Sequence, residues 1–347
     1  MTIDVVASEP HFLDHIAPIA LALGDQLGTV YTGSRPNTKR VDDRWGLTVQ
    51  AGYPHTGREP CLVANVHDLT QVASGRPAIF VEHGAGQTYT DGGNLLVEQH
   101  PSYAGGDNRH AVRLFLAINE TTAAKDRARY PDARVEVVGS PWVDHLAEVR
   151  RDRYYGGLAQ QLPIVAFCWH YDLAIVPETR SARSYWWETM RELHADGEYL
   201  VAGSGHPRAY RDERLAERYQ ALGIPSWADL AQVVAHADVL CFDNTSAGFE
   251  AMAAGVPVVA LNAPWYRKDV HHGLRFWEVP DLRVDDPDRL RGALRYLSRP
   301  TSRTDVIHDQ ARDAARIFAH QGSATERAVA AIERAQSDGI LGNLLRS

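Results

Sequence analysis

The stretch ADVLCFDNTSAGFEAMAAGVPVVALNAP (Ala237–Pro264) constrains this chain more than any other, because it reads as strand, tight loop, short helix and strand. Asp238–Phe242 and Pro257–Leu261 are short apolar runs of strand length. Between them Asn244 or Thr245 is placed to cap a helix running to about Ala254, and Gly255 followed by Pro257 stops it. The first turn, Ser246-Ala247-Gly248, is small, and its backbone N–H groups are expected to lie within reach of a ligand. A helix start at the carboxyl end of a strand in an open α/β sheet is where a phosphate or diphosphate is held. Glu250 lies four residues after Ser246 on the same face. A carboxylate there can accept hydrogen bonds from ribose hydroxyls. Taken alone, a capped core helix with an exposed Glu explains the stretch equally well.

The rest of the chain supplies the context. Ile3–Ala7, Thr29–Tyr31, Cys61–Val66, Ala78–Glu82, Arg113–Ile118 and Val135–Val138 read as strands, each short and β-branched-rich. Helices are expected over Phe12–Leu23, which Pro18 should kink or shorten, and over Thr121–Tyr130. This alternation predicts a parallel sheet covered by helices. Two stretches, Arg35–Gly57 and Asp91–His110, lack periodicity and read as long loops.

A charged helical segment follows Trp142, and a second alternating set begins at Ile164. Ile164–Cys168 and Glu198–Ala202 are strand-like. Ser181–His194 is a helix with Trp186, Trp187 and Met190 on its apolar side. Further helices are expected over Asp212–Leu222 and Trp227–Ala235, the latter with Ser226 and Asp229 in capping-box spacing, and near Pro287–Leu297. The tail from Thr304 to Ala335 is a long Ala/Arg-rich helical pattern. The domain reading is therefore 1–145, a linker over 146–162, a second domain over 163–300, and a helical tail over 301–347 that crosses back to the first domain. Two such doubly wound domains are expected to face one another across a central cleft.

Composition narrows the function classes. With 44% hydrophobic and 23% charged residues, the 347-residue chain has the balance of a soluble globular protein. Its net charge of −8, without Lys/Arg clusters, argues against nucleic acid or an anionic membrane as the main partner. No apolar run is long enough to span a bilayer, and MTIDVVASEP lacks the features of a signal peptide, so a cytoplasmic location is expected. Cys61, Cys168 and Cys241 lie in apolar runs without paired spacing and read as buried free thiols. His170, His271 and His272 show no metal-ligand spacing, so no metal site is expected.

Five landmarks occur in order: VEHGAGQTY (81–89), VVGSPWVDHL (137–146), IVAFCWHYD (164–172), GHPRAY (205–210) and the opening stretch. The series resembles nucleotide-sugar enzymes of the GT-B fold. It is most similar to the CDP-glycerol glycerophosphotransferase (teichoic acid polymerase) group, with similarity to UDP-N-acetylglucosamine 2-epimerases. FEAMAAGVPVVA also matches a segment of many retaining glycosyltransferases. Phe249-Glu250 is closer to the glycosyltransferases than to the phosphotransferases, and Ala251 stands where the epimerases carry a second carboxylate. The acidic chain also departs from polymerases that work at membranes.

The resemblance implies a glycosyltransferase with a nucleotide-diphosphate sugar as donor, a hydroxyl-bearing acceptor and no obligatory cofactor. Polyol-phosphate transfer, 2-epimerisation and a non-catalytic nucleotide-sugar binding module are the alternatives. His83, before Gly84 and Gly86, is the expected general base; Glu82 could support it or act in its place, but strand alternation points it the other way, and a turn histidine is the bland alternative. His206 is expected to donate a hydrogen bond to the leaving diphosphate, with Arg208 adding charge. Asn244, Thr245, Ser246, Ala247 and Gly248 are expected around the diphosphate and Glu250 at the ribose, while Asp243 suits loop shaping as well as ligand contact. In the fold, backbone equivalent to Trp227–Leu230 holds the base. Arg267 and Lys268 belong to a loop that could meet phosphates, although a solvated loop is the commoner outcome.

Overall fold

The computed structural model describes residues 1–33, 45–54, 57–72, 76–84, 111–155, 162–172, 180–266 and 282–342. The chain divides into two compact units: residues 1–83, 100–145 and 317–347 form the first, and residues 84–99 and 146–316 the second.

In the first unit β1 (Ile3–Val6) leads into α1 (Pro10–Ala22), followed by β2 (Leu27–Tyr31), β3 (Val49–Gln50), β4 (Cys61–Val63), α2 (Val66–Gln71) and β5 (Ala78–Val81). Then come β6 (Val112–Ala117), α3 (Glu120–Arg129), β7 (Arg134–Val137) and the start of α4 (Pro141–Tyr155), which from Leu146 on belongs to the second unit. The strands form one parallel sheet in the order β3-β2-β1-β4-β5-β6-β7. β1, β4 and β5 are buried at every residue, the pattern of strands covered on both faces. The chain moves outward from β1 to β3 and then restarts on the other side of β1, so strand order reverses between β1 and β4.

The second unit carries β8 (Ile164–Trp169), α5 (Arg183–Asp196), β9 (Leu200–Gly205), α6 (Pro207–Asp212), α7 (Leu215–Ala221) and α8 (Leu230–His236). It continues with β10 (Val239–Phe242), α9 (Ala247–Ala253), β11 (Val258–Leu261), β12 (Arg283–Val284), α10 (Leu290–Leu297) and α11 (Pro300–Ile317). Its sheet is also parallel, in the order β12-β11-β10-β8-β9, with the reversal between β8 and β10. The expected pair of doubly wound α/β sheets is present.

The last helix, α12 (Ala324–Ser337), belongs to the first unit. Ala328, Ala331, Ile332 and Ala335 recur at helical spacing and enter the same core as Ile3, Val5, Leu13, Ile16 and Leu114. The segment before it is clamped: Asp144 accepts from the N–H groups of Gly322 (2.6 Å) and Ala324 (2.7 Å), and the Asn119 amide donates to the Ile317 carbonyl (2.7 Å).

Several local expectations are corrected. Pro18 does not shorten α1, which runs through it to Ala22 with Leu13, Ile16, Ala17, Ile19 and Ala20 packed into the core. The helix expected over Asp212–Leu222 begins only at Leu215: Asp212 ends the separate helix α6, and Arg214 between them has a φ of 52°. Ser226 does not cap α8; it bridges to Gly203, and the Asp229 carboxylate accepts from Ala231 N–H (2.8 Å). The tail is two helices broken at residues 318–323, where His320 and Gly322 both have positive φ. Val66 opens α2, with the Asn65 side chain as its cap, instead of ending a strand.

Candidate functional site

The parallel pairing of β8, β9, β10 and β11 sends the loops after their carboxyl ends to one edge of the sheet. Four short segments meet there: His170-Tyr171, His206, Asp243–Ser246 and Asn262–Tyr266.

Asp243 ties this edge together. It is fully buried, and its carboxylate accepts from the N–H of His170 (2.7 Å), the hydroxyl of Ser181 (2.9 Å) and the N–H of Ala182 (2.9 Å). Burial pushes its acid up to about 6, although these hydrogen bonds and the charge of Arg183 pull the other way. Asp243 therefore shapes the loops, one of the two roles the sequence allowed. Arg183 in turn pairs with Glu213 (2.7 Å), whose other oxygen accepts from Asp172 N–H (2.7 Å). Tyr266 closes the edge, donating to the Arg180 carbonyl (2.7 Å) with its hydroxyl 3.3 Å from the Asn244 side-chain oxygen.

His206 and Arg208 lie one strand further out. His206 N–H extends the ladder to the Trp169 carbonyl (2.8 Å), and its Nδ1 accepts from the backbone N–H of Arg208 (3.1 Å). That bond fixes the tautomer: a neutral His206 carries its proton on Nε2. The His206 ring lies 4.6 Å from Tyr171 and 5.5 Å from His170, which itself stacks on Tyr171 at 4.2 Å. The exposed Arg208 guanidinium sits over the same Tyr171 ring, 5.0 Å from its centre. Tyr171 thus carries both cation-capable groups, and sequence reasoning missed it. Its signal was the run WHYD directly after a buried strand.

The β10–α9 turn differs in detail from expectation. The cap position is Ser246, not Asn244 or Thr245; the Thr245 hydroxyl accepts from Ala247 N–H at 3.4 Å. Gly248, Phe249 and Glu250 do not offer free N–H groups, because they donate to the carbonyls of Thr245 and Ser246. Gly248 is small for packing: a Cβ there would stand 2.1 Å from the Phe242 ring. Glu250 is not an exposed surface group; it is 4% exposed and near Cys168. Burial, and then Asp243 and Glu250, push the Cys168 thiol up. All three cysteines are buried free thiols.

The Trp227 backbone is also committed to the fold: its N–H donates to Gly203 (2.8 Å) and its carbonyl accepts from the Tyr210 hydroxyl (3.1 Å). Leu230 opens α8 beside the Asp229 cap. Gly86, Arg267, Lys268, His271 and His272 lie outside the described residues.

In the first unit His83 follows β5 and precedes Gly84, which has a φ of 75°. Its ring lies 5.0 Å from Phe12 and 5.6 Å from His15. The contacts extend from His11 against Phe12 (4.0 Å) to His15 against Trp142 (6.3 Å), Trp142 stacked with His145 (5.5 Å), and His145 against Trp45 (4.6 Å). The Trp45 indole N–H donates to Asp14 (3.0 Å). Burial, then His83 and His11, hold the His15 imidazole well below its ordinary value, so it is uncharged at neutral pH. Only His83 was anticipated from sequence. The four-residue spacing of His11 and His15 was visible, but not that Trp142 and His145 of α4 would join them. Among the described residues no group of three or more His, Cys, Asp or Glu is arranged to hold a metal ion, and no helix is long and apolar enough to cross a membrane.

No protein-family model matches the sequence, and no curated protein does. Solved structures do. The UDP-N-acetylglucosamine 2-epimerase of Rickettsia bellii is similar over 97% of each chain at 10% identity and a TM-score of 0.60. The wall teichoic acid polymerase TagF is similar over 97% of this chain and 88% of that one, at 12% identity and a TM-score of 0.65. The UDP-GlcNAc 2-epimerase of Methanocaldococcus jannaschii, solved with UDP-GlcNAc and UDP, is similar over 96% and 100% of the chains, at 14% identity and a TM-score of 0.60. The fold is GT-B-like. That expectation from the ordered motifs holds across nearly the whole chain.

Proposed function

We propose that this protein is a glycosyltransferase that moves a sugar from a nucleotide-diphosphate donor to a hydroxyl acceptor. The observation that carries the reading is the His206–Arg208 pair at the strand ends. A neutral His206 keeps its proton on Nε2 because Nδ1 is occupied by Arg208 N–H, and the Arg208 guanidinium is steadied on Tyr171. An N–H donor beside a fixed cation is suited to the negative charge that grows on a leaving diphosphate. The hydroxyls of Thr245 and Ser246 in the neighbouring turn are suited to the same group. Glu250, buried one helical turn further on, is the residue proposed for the ribose. The solved structures of similar fold, one of them holding UDP-GlcNAc and UDP, favour a nucleotide-sugar ligand.

In this reading the acceptor oxygen attacks the anomeric carbon as the bond from that carbon to the diphosphate oxygen breaks. The acceptor's proton passes to a general base, and the diphosphate leaves against His206 and Arg208.

A thermal-shift panel of nucleoside diphosphates and nucleotide sugars tests the donor. A selective ligand at a hundredfold excess over its Kd should stabilise the chain by about 2.7 kcal/mol. Arg208→Ala should weaken that ligand about tenfold. A panel without any response, or equal affinity in the variant, would remove the diphosphate assignment. Epimerisation of the donor with no acceptor present would replace transfer with the epimerase reading.

A further inference from the structure

We infer that Arg180, laid on the Trp265 ring, reads a carboxylate on the transferred sugar, so that the donor is a nucleotide-linked uronic acid. This rests on the transfer reading above and adds the chemical class of its sugar.

Arg180 and Trp265 stand on the far side of the β10–α9 turn from Arg208. The sheet order β12-β11-β10-β8-β9 puts His206 after the outer strand β9 and Trp265 after β11, with the turn between them. Arg180 is tied into the β11 flank by its backbone. Its carbonyl accepts from the Tyr266 hydroxyl (2.7 Å), which lies 3.3 Å from the Asn244 side-chain oxygen, just before Thr245 and Ser246. A nucleotide sugar carries its nucleoside and its sugar at opposite ends of the diphosphate. Ser226 bridges to Gly203 on the open side of β9, so the Trp227–Leu230 segment, expected at the base, follows on that flank. With the diphosphate at the turn, the sugar points the other way, toward Arg180 and Trp265.

The Arg180 guanidinium centre lies 4.5 Å from the centre of the Trp265 ring. Such a contact holds the cation through its flat face and leaves its in-plane N–H groups to fork onto two oxygens, the geometry a carboxylate presents. Tyr185 packs edge-on against the same indole at 6.1 Å, which fixes the plane of the ring. Asp172 shows that a carboxylate can approach this cation: one of its oxygens lies 3.9 Å from Arg180 Nε. That separation exceeds hydrogen-bond length. Both side chains are half-exposed, so the pair contributes little and yields to a better-placed anion. A neutral hexose would leave Arg180 with Asp172, whereas a uronate gains a charge-assisted bond. With Arg208 held on Tyr171 for the diphosphate, two ring-held cations match a donor whose two anionic groups are set apart.

Titration calorimetry of the intact chain tests this by comparing UDP-glucuronate with UDP-glucose, UDP-galacturonate with UDP-galactose, and GDP-mannuronate with GDP-mannose. UDP and GDP serve as nucleotide controls. At least one uronate donor should bind about tenfold tighter than its neutral parent. Arg180→Ala should remove that margin and leave the affinity for the nucleoside diphosphate unchanged. Arg180→Lys, a point charge without the fork, should restore only part of the margin. If Arg180→Ala melts below the parent, Arg180→Gln carries the comparison. The inference is overturned if every neutral donor binds as tightly as its uronate, or if the margin survives without the guanidinium. Binding of nucleoside diphosphates with no uronate margin would remove this inference alone. No response to any nucleotide or nucleotide sugar would remove the transfer reading with it.

Discussion

Asp243 receives three hydrogen bonds in the interior of the second unit, and its carboxyl is nevertheless pushed up to about 6 from an ordinary 3.8. Desolvation outweighs the donors. The native state therefore holds this proton more tightly than the unfolded chain. As pH rises from about 4 through about 6, ionisation of the unfolded state draws stability away, at about 1.4 kcal/mol per pKa unit, and the loss levels off above that range. Asp243→Asn keeps the shape but turns an amide N–H₂ toward a backbone donor, which should cost about 1–3 kcal/mol. Because the variant has no carboxyl to ionise, its deficit should narrow between pH 4 and pH 7. Urea unfolding at the two pH values measures this, and a deficit independent of pH would show that Asp243 ionises as it does in water. The same scale governs the proposed chemistry. If His206 and Arg208 offset the diphosphate charge, turnover should survive EDTA; loss of activity restored by Mn²⁺ would assign that role to a metal ion instead.

Among the elements, α9 shows what a local reading can and cannot reach. Its strand–helix–strand setting was legible from two apolar runs flanking a small-residue turn, and Gly255 ends it with a φ of 83°. The function of Gly248 was not legible, since smallness serves a ligand and a close-packed neighbour equally. The Phe242 ring occupies the space that a Cβ would need. Gly248→Ala should therefore destabilise by about 1–3 kcal/mol through overpacking, against the gain of about 0.5–1 kcal/mol that alanine brings to an open helix position. A urea midpoint that rises in this variant would show that the ring moves aside freely. The Trp227 segment teaches the same lesson: its backbone is consumed by Gly203 and Tyr210, partners more than fifteen residues away that no local pattern could identify.

For the molecule as a whole, the C-terminal helix is an internal part of the first unit. Ala328, Ala331, Ile332 and Ala335 fill its core, and the turn before them is locked to Asp144 and to Gly139, where a Cβ would stand 2.1 Å from the Ala319 carbonyl oxygen. Deleting residues 318–347 should expose the core formed by Ile3, Leu13 and Ile16 and abolish cooperative melting of the first unit, read by near-ultraviolet circular dichroism and dye binding. A truncated chain that melts with the parent's sharpness would show that α12 is dispensable.

By itself, the sequence determined the alternation of short buried strands with helices, and hence two parallel sheets, because strand length, turn residues and apolar period are local properties. The ordered motifs also carried the GT-B-like resemblance, since each sits at a strand end whose position the alternation already specifies. Only the tertiary structure decided which groups share a site. It buried Glu250, used up the N–H groups after Ser246, joined Tyr171 to His206 and Arg208, and gathered His11, His15, His83, Trp142, His145 and Trp45 into one array. The reason is physical: burial, hydrogen-bond competition and ring contacts depend on residues far apart in the chain, and a local pattern carries no information about which distant partner arrives first.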